Sequence, residues 1–157
     1  TKQLYESGFQ ANGGTLSCVY WDENTPFYVA PEELEGAYSC LDYFHNVNDA
    51  FGKKLLADYN AMWKDTPYQL TAGSASTGVY RAVKLYEQAV INTNGDVARE
   101  AVSAALENVS IDQGPGGGYR VVPGTGHVEM NMYIAQAQGG QWNILSSSNS
   151  VPPNECA

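Results

Sequence analysis

Apolar residues recur with a helical period through the middle of this sequence. Four of them are spaced by four, four and three positions: Phe51, Leu55, Tyr59 and Met62. This spacing places them on one face of an amphipathic helix. We expect the helix to begin near Asp49 and to end before the turn at residues 65–67.

Two further helices are predicted downstream. A second apolar stripe follows the small, polar stretch at residues 72–77 and consists of Val79, Ala82, Val83, Tyr86 and Val90. Asn94 and Gly95 form a turn signal, and Asp96 is the predicted N-cap of a third helix. That helix is expected to face inward with Val97, Ala101, Val102, Ala105 and Leu106.

Strand signals precede these helices. Residues 15–21 are rich in β-branched and aromatic types and predict a strand that ends in the polar turn at residues 22–26. Pro31 begins a short helix, and residues 36–43 predict a second strand. Residues 2–8 have the pattern of a helix end capped by glycine, which suggests a processed or truncated product.

The last third of the chain is predicted to be rich in strands. The glycine-rich stretch at residues 114–118 interrupts all periodicity, and residues 119–122 then predict a strand. Alternating residues lead through Gly139 and Gly140 into residues 141–145, which is a β-hairpin signal; the apolar members are Met130, Met132 and Ile134. Together these elements indicate an α/β fold.

Composition and charge narrow the classes of partner. The chain has 157 residues, the length of one ordinary domain, with 17 acidic and 8 basic residues and a net charge of -9. Nucleic acids and anionic membranes bind through positive charge, and Lys53 and Lys54 are the largest basic cluster. No apolar run reaches the roughly 20 residues that span a bilayer, so no direct membrane insertion is expected.

Catalytic and metal chemistry is weakly indicated. A thiol enzyme would need Cys40 beside a base and an acid, and His45 lies past the strand that would place Cys40 and Asp42 on one face. A buried structural cysteine is therefore favoured. His45 and His127 are the two histidines and lie far apart in sequence, so we expect no metal and no cofactor.

The remaining glycine and cysteine signals are ambiguous. Residues 114–118 lack the lysine of a phosphate-binding loop and are better interpreted as a connector between lobes. In an exported protein two of the three cysteines can pair, and the sequence leaves open whether Cys40 pairs with Cys18 or with Cys156.

The turn at residues 22–24 is the strongest candidate for binding. Ligands of open α/β sheets occupy the crevice outside the carboxyl ends of the strands, and an acid there accepts hydrogen bonds from amide or ammonium groups. A solvated acidic turn is an equally good interpretation. Three nearby aromatic residues can form apolar walls or belong to the core: Tyr20, Trp21 and Tyr43.

The order of these landmarks resembles type I periplasmic binding proteins, in particular the branch that binds urea and short-chain amides for ABC transporters. The resemblance is carried by residues 2–8, 35–44, 71–80, 114–117 and 151–156. It implies two Rossmann-like lobes joined by a hinge, with only the C-terminal half of the chain present. Residues 1–42 would belong to lobe two, residues 43–111 to lobe one, and residues 112–157 would return to lobe two.

The resemblance also implies a function. The protein would be a periplasmic, exported binding protein, not an enzyme. It would capture urea, a short-chain amide or an amino acid between its lobes and deliver it to an ABC permease. Glu23 and then Asn24 would contact the ligand, with Trp21, Tyr20 and Tyr43 nearby, and a missing N-terminal half would supply the other contacts. The alternatives are a cytoplasmic amide-sensing regulator with the same fold and, less favoured, a small thiol enzyme.

Overall fold

The computed structural model describes residues 1–67 and 70–153. Helices and strands alternate in the first part, three helices follow, and strands complete the fold. The helices are α1 Lys2–Glu6, α2 Pro31–Leu34, α3 Ala50–Trp63, α4 Ser74–Asn92 and α5 Arg99–Leu106. The strands are β1 Ser17–Cys18, β2 Tyr38–Leu41, β3 Ser110–Ile111, β4 Tyr119–Val122, β5 His127–Gln138 and β6 Gln141–Val151. Within the described ranges, no helix combines the length and apolar character that crossing a membrane requires.

The long strand β5 organises the sheet. Its first residues pair with β4, from Val122↔His127 to Tyr119↔Met130, and its later residues pair with β2, from Leu41↔Tyr133 to Tyr38↔Gln136. Both pairings are antiparallel, whereas β1 lies parallel to β2. β6 runs antiparallel to β5, with register shifts between Met130 and Met132 and between Ile134 and Ala135.

Two hydrophobic clusters form the core. The first cluster lies around β2, the later half of β5 and the start of β6, and contains Leu34, Phe44, Val47, Tyr133, Ala135, Ala137 and Trp142. The second cluster lies between α4, α5 and the strands β3 and β4, and contains Leu85, Ala89, Val102, Val109 and Tyr119. Burying each large apolar side chain contributes about 1.5–3 kcal/mol, so each cluster is a substantial source of stability.

A buried ion pair connects the elements around the two clusters. Arg81 of α4 is 5% exposed, and its guanidinium contacts the carboxylate of Asp42 and donates a hydrogen bond to the carbonyl of Pro115. The other carboxylate oxygen of Asp42 accepts a hydrogen bond from the hydroxyl of Ser74. Burial lowers the pKa of Arg81 to about 10, which still leaves the guanidinium charged at neutral pH.

The glycine-rich loop between β3 and β4 is packed into this network. The Gly116 carbonyl accepts hydrogen bonds from the Tyr133 hydroxyl at 2.8 Å and from the Asn131 amide at 3.0 Å. The Gly116 N–H donates to the carboxylate of Asp49 at 3.3 Å. Gly116 has φ +79°, and a Cβ there would collide with the carbonyl oxygen of Asp42. Glycine is therefore required at this position for both conformation and space.

Most of the predicted elements are present. Strand β4 has the predicted bounds, the hairpin turns at Gly139 and Gly140 with positive φ at both, and Asp49 caps α3 by accepting from Gly52 N–H at 2.5 Å. The first predicted strand is shorter than expected, since β1 is limited to Ser17–Cys18.

The apolar stripe predicted for α4 is not its buried face, although Val90 packs against the second cluster. Val79, Val83 and Tyr86 are 67%, 60% and 50% exposed, and the buried face instead consists of Thr77, Arg81, Leu85 and Ala89. α4 carries apolar residues on more than one side, and the ion pair with Asp42 buries the side that holds Arg81. Apolar periodicity alone therefore selected the wrong stripe.

The start of α5 also differs from the prediction. The N-cap is Ala98 rather than Asp96, whose carboxylate accepts a hydrogen bond from Ala98 N–H at 2.8 Å. Val97 lies before the helix and is exposed, whereas Val102 is buried as predicted.

Replacing Gly116 with alanine should destabilise the fold more than the same change at Gly124. Both glycines have positive φ, at +79° and +76°, but no described atom lies within 4 Å of a Cβ at Gly124. Gly124→Ala should therefore cost only the conformational strain of about 1 kcal/mol, whereas Gly116→Ala adds a backbone collision and should cost at least about 1 kcal/mol more. Urea unfolding of the two variants measures the difference. Equal losses would contradict the proposed packing of the glycine-rich loop.

Candidate ligand-binding site

Three chain segments enclose a small polar cavity beside the first cluster. They are the turn after β1, the segment after β2, and the turn that leads into β6. The cavity has a volume of about 210 Å³ and is lined by Glu23, Pro26, His45, Asn46, Gly140, Gln141 and Trp142. Neither lysine nor arginine is among the described residues that line it.

Hydrogen bonds hold the turn after β1 against the hairpin. The buried carboxylate of Asp22 accepts from the Asn24 N–H at 2.9 Å, which forms an Asx turn and sets the direction of Glu23. The Asp22 carbonyl accepts from the indole N–H of Trp142 at 2.9 Å. The side-chain amide of Asn46 donates to the Trp142 carbonyl at 2.7 Å. Trp142 thus connects all three segments.

Glu23 is the acidic group of the cavity. One carboxylate oxygen, Oε1, accepts a hydrogen bond from the backbone N–H of His45 at 2.5 Å. The other, Oε2, is buried and has no hydrogen-bond partner among the residues that the structure describes. Burial raises the pKa of Glu23 above its ordinary value. The charge and backbone N–H of His45 and the backbone N–H of Glu23 itself oppose this rise, and the neighbouring carboxylate of Asp22 adds to it.

The imidazole of His45 is directed toward a second loop. Its Nε2 lies 3.2 Å from the Ala72 carbonyl and 3.4 Å from the Thr71 hydroxyl. The ring of Tyr43 contacts it edge-on, with 6.1 Å between ring centroids. The histidine is therefore held by contacts other than Glu23 and supplies that carboxylate with its backbone N–H.

The structure places the five residues predicted for ligand binding in different environments. Glu23 lines the cavity, while the amide of Asn24 bonds to both backbone groups of Thr71, at 2.8 and 3.2 Å. Trp21 packs against the first cluster, Tyr20 is 85% exposed, and Tyr43 is 1% exposed. The Tyr43 hydroxyl lies 3.4 Å from the Gly52 carbonyl, and burial raises its pKa.

Several lining residues carry no signal in the sequence. In the sequence, His45 has the pattern only of a partner for a thiol or a metal, Gln141 and Trp142 only of strand residues, and Pro26 only of a turn residue. Asn46 carries no signal. These residues are brought to Glu23 by the pairing of β6 with β5 and by the return of the chain after β2, which sequence spacing does not report.

The residues of the considered thiol site are separated. Cys40 and Asp42 line one groove, in which Asp42 binds Arg81 and Ser74, whereas His45 lies apart from them beside Glu23. Within residues 1–67 and 70–153, no group of three or more His, Cys, Asp or Glu side chains could hold a metal ion.

The cysteine pairing left open by the sequence is partly resolved. Among the described residues, Cys18 and Cys40 are free thiols and are not bonded to each other. Cys18 pairs in register with Ser39, so the next residue, Cys40, faces the opposite side of the sheet. Cys156 lies outside the described residues.

A comparison with known protein families matches residues 1–141 to the family described as periplasmic binding protein. The chain belongs to this family. The match covers all the residues that line the cavity except Trp142. A comparison with curated proteins gave no significant match.

Solved structures of type I periplasmic solute-binding proteins share the fold. An ABC-transporter solute-binding protein from Rhodopseudomonas palustris BisB5, in complex with 3,4-dihydroxybenzoic acid, has a TM-score of 0.79 and 20% identity over 96% of this chain and 41% of its own. The leucine-binding protein LivK from Thermotoga maritima has a TM-score of 0.73 and 15% identity over 94% and 40%. An amino acid ABC transporter substrate-binding protein from Pseudomonas fluorescens Pf-5 has a TM-score of 0.72 and 16% identity over 96% and 41%.

These comparisons confirm the predicted α/β fold of periplasmic binding proteins of type I. The chain spans about two fifths of the length of the solved relatives, which is 41% for the first of them. The family consists of proteins that bind small molecules, and the ligands of the individual relatives differ.

Replacing Glu23 with glutamine should remove a pH dependence of stability. Because its folded pKa is raised, the folded protein binds the Glu23 proton more tightly than the unfolded chain does. The free energy of unfolding contributed by this group is highest below the pKa of an exposed glutamate, about 4.3, and falls as pH rises through the folded pKa. Glu23→Gln should therefore gain stability relative to the wild type across this window.

Urea unfolding from about pH 4 to about pH 8 measures this effect. Glu32→Gln is the matched control, because Glu32 is exposed on α2, and it should keep the wild-type slope. Parallel curves for the wild type and Glu23→Gln would show that Glu23 ionises normally.

Proposed function

We propose that this chain is part of an ABC-transporter solute-binding protein and contributes one wall of its ligand cleft. The rest of the cleft would come from a missing N-terminal half, as expected for a chain that spans 41% of its first solved relative. The protein would be exported to the periplasm, bind its solute without chemical change and deliver it to a membrane permease.

A two-lobe arrangement is supported by the two hydrophobic clusters. The resemblance implies that residues 1–42 and 112–157 form one lobe and residues 43–111 the other. Phe44 and Val47 pack in the first cluster and Tyr119 in the second, so we propose that the crossings lie instead beyond Val47 and within β5. Closure of such lobes around a ligand excludes water from the site.

The observation that carries the proposed ligand class is the unpartnered carboxylate oxygen of Glu23. A buried acceptor without a donor is unfavourable by about 1–3 kcal/mol, and a ligand N–H group would relieve this cost. We propose that the solute is an N–H donor of the urea, short-chain amide or amino acid type, with Glu23 as its leading contact.

The other predicted ligand residues have secondary roles in this proposal. The amide of Asn24 fixes the turn by bonding to Thr71, and Trp21 and Tyr43 support the wall from within the core. Tyr20 is exposed and free to meet a second lobe.

Neither lysine nor arginine is among the described residues that line the cavity, and this argues against a carboxylate ligand at this wall. The relative from Rhodopseudomonas palustris is in complex with a dihydroxybenzoic acid, whose anion would meet the Glu23 carboxyl here without a compensating cation. Leaving a buried charge unpaired is costly, so the solute should differ from that aromatic acid.

Calorimetric titration of the full-length protein with urea, formamide, acetamide, leucine and benzoate tests the proposal. At least one N–H donor should bind more tightly than benzoate. Glu23→Gln should weaken that binding by about 10-fold to 100-fold, because a hydrogen bond to a charged group contributes about 1.5–3 kcal/mol. The exposed control Glu32→Gln should bind as the wild type does. Preferential binding of benzoate, or full affinity in Glu23→Gln, would contradict the proposed ligand class.

A further inference from the structure

The surroundings of Glu23 determine how its carboxyl group can exist before a solute arrives. Oε1 accepts from the His45 N–H, the backbone N–H of Glu23 itself also favours the carboxylate, and Oε2 is buried with no partner among the described residues. An ionised carboxylate removed from water needs several donors or a cation to be stable. Two backbone N–H groups, with no donor at Oε2 among the described residues, do not meet that need.

The charges around Glu23 do not supply a permanent counterion. The same turn contributes the buried carboxylate of Asp22, which repels a second negative charge. The segment after β2 contributes His45, which is titratable, and the phenol of Tyr43, whose ionisation Glu23 disfavours. The start of β6 contributes the neutral side chains of Gln141 and Trp142.

We propose that Glu23 holds a proton in the ligand-free protein. It releases this proton when an N–H group of the solute forms a hydrogen bond to the carboxyl group. The inference rests on the proposed function and adds that solute binding is an exchange. The O–H bond of the carboxylic acid breaks, its proton passes to the buffer, and the carboxylate formed accepts the N–H hydrogen bond. No oxidant or other reactant is needed.

This exchange makes solute affinity depend on pH. A proton and the solute compete for the same oxygen, so affinity should fall on acidification by up to about tenfold per pH unit below the Glu23 pKa. Well above that pKa the carboxylate is already ionised, and binding should release no proton. The dependence should vanish in Glu23→Gln, which cannot ionise.

Proton release is measured by calorimetric titration of the full-length protein with acetamide and with leucine. Each titration is repeated in two buffers of different ionisation enthalpy across about pH 5 to about pH 8. The wild type and Glu32→Gln should release up to one proton per solute at the acidic end, and Glu23→Gln should release none. Binding without proton release in the wild type, or equal release in Glu23→Gln, would overturn the exchange.

A measurement without solute separates this inference from the proposed function. The ¹³Cδ resonance of Glu23, assigned by its loss in Glu23→Gln, should titrate well above the ordinary glutamate pKa in the ligand-free protein. A midpoint at or below the ordinary value would overturn the inference whatever binds. A raised midpoint together with no binding of any N–H solute would support the proton on Glu23 and refute the proposed ligand class.

Discussion

Arg81 carries a positive charge into the interior, where desolvation of an isolated guanidinium costs several kcal/mol. The fold compensates with the carboxylate of Asp42, from the end of β2, and with the carbonyl of Pro115, from the loop between β3 and β4. Each partner comes from a different part of the chain. The helix, the strand end and the loop must therefore meet at one place, and the two hydrophobic clusters form on either side of it.

The same arrangement fixes the position of the candidate site. Asp42 is followed directly by Tyr43 and Phe44, which are fully buried, so the chain after β2 has little freedom when it reaches His45. The backbone N–H of His45 is consequently available to Glu23. The wall that we propose for the ligand cleft thus depends on backbone positions that the core determines.

The sequence predicted well what depends on neighbouring residues. Gly139 and Gly140 both adopt positive φ in a two-residue turn, and α3 begins directly after Asp49, because such features need only a few adjacent positions. The inward face of α4 could not be predicted, since the choice between its stripes is made by Asp42, 39 positions away from Arg81.

The candidate site likewise contains residues that a local signal predicts and residues that only long-range contacts bring together. Glu23 was found from its place after a strand, which is a local signal. Trp142 was missed because its hydrogen bond to the Asp22 carbonyl joins residues 120 positions apart. Long-range partners of this kind follow from strand pairing, which periodicity does not encode.

Strand β5 belongs to both clusters, since its first residues pair with β4 and its later residues with β2. The register shift between Met130 and Met132 lies where the strand passes from one set of partners to the other. Such an irregularity leaves a residue out of the ladder and lets a strand bend. The bend therefore lies at the boundary between the clusters, and a rotation of one cluster relative to the other would change the angle of β5 between Met130 and Met132.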